Sequence, residues 1–225
     1  MSKLLSTLIL SLLVSSTLLG QWTKLNQTEQ QGLPVEKISA YHPVRLNTTA
    51  LLSILERAPL EFTNEAGLQL ALPLPDGTTA TFAVYASPIL EADLSRKFPN
   101  FKSFTAQNID QPAMVGRLDW TSKGFHGFFL SPQGTIYLDP LVNDIYVSYY
   151  KKDRIPPTDR KHFCGMSFRE DDFLDENLAT SRGPSSVGEN LRTLRIAVAT
   201  TGEYTNYHGN ATDALAAVVT TINRV

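Results

Sequence analysis

Cysteine is nearly absent from this chain: its 225 residues include one, Cys164. A single thiol rules out a disulfide framework, so stability must come from packing, and the sulfur stands as a free or intermolecular group. Histidine is also scarce, with four residues, none beside another. There is no excess of one charge, since 20 Lys and Arg face 22 Asp and Glu for a net charge of −2. Such a balance gives no electrostatic footprint for nucleic acid or an anionic lipid surface. Beyond the first two dozen residues no uncharged apolar run is long enough to cross a bilayer. Internal repeats and low-complexity tracts are lacking as well. What remains is a chain with 42% hydrophobic residues, enough to build a core.

The first twenty residues look like an export signal. Lys3 supplies a positive start, Leu4 to Leu19 is apolar and uncharged, and Gly20 offers a small residue ahead of Gln21. The expectation is a secreted protein with a signal over 1–20, leaving roughly 205 mature residues. Membrane association beyond that signal is not expected.

Polar residues dominate 21–47, which suggests a surface lead-in. A helix is predicted from Thr48 to Arg57, capped by Asn47 or Thr48, with Leu51, Leu52 and Leu55 on one face and Pro59 ending it. Leu68–Leu74 and Thr78–Tyr85 should be strands joined at Pro75-Asp76-Gly77, because Asp-Gly accepts the positive φ of hairpin turns. Ser87-Pro88 should open a second helix, with Leu90, Leu94 and Phe98 buried and Pro99 as its stop. Strands over 113–120, 125–130, 135–138 and 144–150 complete a mostly β domain, 21–150, with two helices.

Composition changes at Lys151. Residues 151–190 look like an extended, charged arm that carries Cys164-Gly165 and an acidic cluster, Glu170, Asp171, Asp172, Asp175 and Glu176. It ends in the exposed run Ser181-Arg182-Gly183-Pro184, suited to a processing protease. From Leu191 a new unit is expected. Leu194–Ala199 resembles a strand inside a covered sheet, and Asp213–Val225 a helix with Leu215, Val218, Val219 and Ile222 on its buried face. A strand and helix whose apolar faces lack partners imply a domain that continues past Val225.

The stretch Leu194-Arg195-Ile196-Ala197-Val198-Ala199-Thr200-Thr201-Gly202-Glu203-Tyr204-Thr205-Asn206-Tyr207-His208-Gly209, followed by Ala216–Val225, resembles the opening of the catalytic domain of reprolysin-like zinc metallopeptidases, adamalysin relatives among the metzincins. Pro75-Asp76-Gly77, Phe98-Pro99, Gly124-Phe125-His126 and Tyr137-Leu138-Asp139-Pro140 resemble the pro-segments of that family. The resemblance implies an α+β chain: a mostly β pro-domain with two helices, then the first strand and helix of a truncated α/β metzincin-like domain over 191–225.

By the same resemblance, Cys164 is an inhibitory ligand of the catalytic zinc. The zinc itself would be bound downstream, since the H-E-x-x-H-x-x-G-x-x-H motif does not occur in these residues. A thiolate in the fourth zinc position excludes the water that attacks the peptide, and cutting the arm between about Thr180 and Arg192 would let the pro-segment leave. The residues alone leave a second reading of Cys164 open, as a small buried core residue. No calcium site is carried over, because Leu194 stands where some relatives place an acid.

The expected function is therefore the N-terminal portion of a secreted zinc-dependent metalloendopeptidase zymogen, inactive by itself. Its partners would be its own catalytic domain and protein or peptide substrates. The alternatives are a secreted inhibitor or chaperone acting in trans and a β-rich extracellular binding module. His126, His162 and His208 are expected to be structural or solvent-facing, with His126 pointing outward from its strand. Asn26, Asn47 and Asn210 head N-x-Thr sequons.

Overall fold

The structure is a computed structural model that describes residues 20–35, 37–155 and 194–225. Among these, nine strands form one fully antiparallel sheet: β1 Trp22–Lys24, β2 His42–Leu46, β3 Leu68–Pro73, β4 Thr79–Ala86, β5 Lys102–Asn108, β6 Val115–Thr121, β7 Gly124–Ser131, β8 Gly134–Val142 and β9 Ile145–Tyr150. Strands β3 to β9 follow one another as a meander, and β2 and then β1 extend it beyond β9. The sheet curls into a nearly closed barrel. Residues from strands near both of its edges, Val44 and Leu46 on β2 and Leu70 and Leu72 on β3, share one core.

That core follows from alternation. Phe125 and Phe129 on β7, Leu118 on β6 and Phe82 and Val84 on β4 are fully buried, because successive side chains of a strand point to opposite faces. Phe82 and Phe129 pack at 4.9 Å between ring centroids. Burial of each such side chain contributes about 1.5–3 kcal/mol. Helix α1, Gln27–Gln30, is a single turn closed by a capping box from Asn26 and Glu29. Helix α2, Thr48–Leu55, starts where Asn47 Oδ1 accepts the Ala50 N–H, and it adds Leu51 and Leu55 to the barrel interior. The β3–β4 hairpin turns at Gly77, whose φ of +82° is the left-handed conformation glycine tolerates, while Asp76 Oδ1 accepts from the Thr78 N–H and hydroxyl.

The expected α+β arrangement, a pro-domain followed by the opening of an α/β domain, is corrected. Leu194–Ala199 forms no strand and pairs with no strand among the described residues, with Leu194 87% and Ile196 72% exposed. The helix predicted after it, α5 (Ala211–Asn223), does not begin a separate layered unit but packs on the outer face of β6. A short helix α4, Gly202–His208, precedes it.

The polar lead-in also differs from expectation. It supplies β1 and β2, because the sheet recruits Val44 and Leu46 to cover its β9 edge. Helix α3 is confined to Ala92–Lys97. It cannot start at Ser87, whose backbone is held extended: the Ser87 N–H donates to Ser103 O, and Ser103 Oγ donates back to Ser87 O. Among the described residues no helix is long and apolar enough to cross a membrane.

Candidate functional site

The outer face of β6 carries Arg117 and Asp119, and β7 places His126 directly opposite Asp119 in the register. A charged residue facing outward from a strand would ordinarily meet water. Here Asp119 is only 1% exposed, because α5 lies over it. The helix faces the sheet not with its most apolar stripe but with Ala216, Val219, Thr220 and Asn223. These four recur at the i, i+3, i+4, i+7 spacing of one helix face. Leu215, Val218 and Ile222, expected as the buried stripe together with Val219, are only half-buried. Small side chains at 216 and 220 let the helix approach the strands closely, and the polar ones find partners there.

Those partners form a continuous hydrogen-bonded cluster. The Thr220 hydroxyl donates to Asp119 Oδ1 at 2.7 Å, and His126 Nδ1 lies 3.1 Å from the same oxygen. Asn223 donates through Nδ2 to the Leu118 carbonyl at 2.9 Å, with Asp119 Oδ2 at 3.4 Å. Its Oδ1 accepts from Arg117 Nε at 3.0 Å. Arg117 Nη1 donates to Ser87 Oγ, whose own proton goes to Glu61 Oε1. Burial lowers the Arg117 pKa, and Glu61 partly offsets that shift.

Two ion pairs close the ends of the clasp. Ser122 and Lys123, in the two-residue turn between β6 and β7, donate to Asp213 at 2.9 and 2.6 Å. They hold its carboxyl below the usual carboxylate range, Lys123 having the larger effect. At the other end Arg224 donates to Asp139 Oδ1 on β8, and its guanidinium carbon sits 5.1 Å over the Tyr137 ring. Tyr149 donates to Asp139 Oδ2 at 2.8 Å. Burial first, and Asp139 second, push the Tyr149 phenol far upward.

The residues expected to bear function fall elsewhere or take other roles. Cys164, His162, the acidic cluster 170–176 and the processing run 180–192 lie outside the described residues, as do residues 1–19 of the expected signal over 1–20. His126 does point out of the barrel, but under α5 rather than into water. His208 ends α4, with its ring against Tyr204 and Tyr207. All three sequon asparagines are helix N-caps: Asn26, Asn47 and Asn210 accept the backbone N–H of Glu29, Ala50 and Asp213. Among the described residues, no three His, Cys, Asp or Glu side chains are grouped so as to hold a metal ion.

Sequence reasoning passed over Arg117, Asp119, Thr220, Asn223 and Arg224. The signal available was an acid, Asp119, between Leu118 and Trp120 and two residues from Arg117, so that both charges fall on the same face of one strand. No protein-family model, curated protein or solved structure matches this chain.

Proposed function

We propose that the chain is the N-terminal part of a secreted zinc-dependent metalloendopeptidase zymogen, in which the barrel is the pro-segment and Cys164 the latch. The observation that carries this reading is the relation between barrel and helix. The barrel core contains no residue of 194–225 among the described residues, yet its outer face provides a matched, hydrogen-bonded seat for α5. A domain complete in itself that grips a later part of its own chain behaves as a holder with a client. Two segments that resemble pro-segments, Gly124-Phe125-His126 and Tyr137-Leu138-Asp139-Pro140, supply His126 and Asp139 to that grip.

In this reading the zinc would be bound by a part of the parent protein outside these residues, and it would supply Lewis acidity and an activated water for peptide hydrolysis. Cys164 would hold that metal as a thiolate and keep water from it, since coordination to a metal deprotonates a thiol. The barrel keeps the latch close by holding α5. The test is a precursor expressed together with its downstream part and carrying Cys164→Ala. It should cleave a peptide substrate before any processing. A variant as silent as the parent sinks the proposal.

A further inference from the structure

In the zymogen reading a processing protease cuts the chain between barrel and helix, and loss of the tether frees the barrel. The clasp argues otherwise. Among the described residues there are two separate apolar clusters. The large one lies inside the barrel and is built from 44–146. The small one joins Phe101 to Ala216 and Val219, with Ile89, Leu90, Phe98 and Leu215 packed around it. Helix α5 therefore adds nothing to the barrel's main core and is seated on its outer face.

We propose that the outer face of β6 to β8 is a helix-binding site, able to hold α5 with no covalent connection. A chain cut within 156–193 then remains a non-covalent complex. The site reads a helix of defined chemistry through three stations. Ser122 and Lys123 take an acid in its first turn, Asp213. Asp119, the Leu118 carbonyl and Arg117 take a hydroxyl and a carboxamide on one face, Thr220 and Asn223. Asp139 takes a guanidinium at its end, Arg224. Between the stations, Phe101 meets small or branched residues at 216 and 219.

Specificity follows from the cost of mismatch. Asp119 and Asn223 are 1% and 3% exposed, so a helix lacking the matching groups would leave buried polar atoms without partners. Apolar helices in general would be rejected for that reason. The regulatory consequence rests on the zymogen reading: cutting the arm would remove the tether's concentration advantage but not the complex, so activation would need a second step that strips the barrel from α5.

The experiment inserts a specific protease site between Ser185 and Ser186 of the full chain, cuts it, and follows the two pieces by size exclusion and native mass spectrometry. At about 1 μM they should elute together. The helix-side pair Thr220→Val with Asn223→Ala leaves the barrel untouched and should weaken the complex at least ~tenfold. Val218→Ala, on the half-exposed side of the helix, should leave it unchanged. The barrel piece alone should keep a cooperative thermal transition.

Pieces that separate at that concentration overturn the proposal, as does a Thr220/Asn223 variant that binds like the parent, loss through Val218→Ala, or an unfolded barrel piece. None of these outcomes depends on peptidase activity. A failed clasp is thereby distinguished from a failed zymogen reading, which the Cys164→Ala precursor tests.

Discussion

Thr220 donates its hydroxyl to Asp119 Oδ1 across 101 residues of chain, so a carboxylate on the sheet's outer face is sealed from water by a helix near the far end of the sequence. Thr220→Val keeps the shape of the side chain and removes the donor. A buried acceptor deprived of a partner costs about 1–3 kcal/mol, and here that cost falls on docking alone. Amide exchange in α5 should accelerate by roughly tenfold or more, while β7 and β8 keep their protection. Equal acceleration in the strands would show that helix and barrel open as one unit.

Inside the barrel the constraint is space. A Cβ placed on Gly116 would lie 2.4 Å from Phe129 Cδ1 and 2.5 Å from the Phe128 carbonyl oxygen. The carbonyl belongs to the paired strand and cannot rotate away. Gly116→Ala should therefore destabilise the barrel by about 1–3 kcal/mol or more through overpacking, and lower its thermal midpoint by several degrees. An unchanged midpoint would mean that β6 and β7 can part without loss.

The hairpins were legible because their signals are local. Asp76-Gly77 and Lys123-Gly124 announce turns, and alternation such as Phe125, Gly127, Phe129 marks an inward face. The seat of α5 was not legible, since periodicity weighs only apolarity. It selected Leu215, Val218, Val219 and Ile222, of which only Val219 is buried, whereas the sheet also selects Thr220 and Asn223 because Asp119 and Arg117 await them. Leu194–Ala199 has the composition of a covered strand, but no neighbouring strand among the described residues pairs with it, and composition alone cannot supply one. The core strand β2 was hidden for the opposite reason: only Val44 and Leu46 of it are strongly apolar inward residues, and its place depends on pairing with β9, about a hundred residues later.

Asp213 links the clasp to pH. Lys123 and Ser122 hold its folded pKa below the ordinary value, so its stabilising effect is present above the unfolded carboxylate pKa near 3.8 and is lost as pH falls through the lower folded value. The window is thus acidic, below about pH 4. Other carboxylates titrate there too, so the informative quantity is a difference between two proteins. Docking of α5, followed by amide exchange at Ala214–Ala217, should weaken on acidification more steeply in the parent than in Asp213→Asn, which has no charge to lose. At neutral pH the Asn variant, lacking the Lys123 pair, should exchange faster than the parent. Parallel acid profiles in the two proteins would remove Asp213 from the clasp.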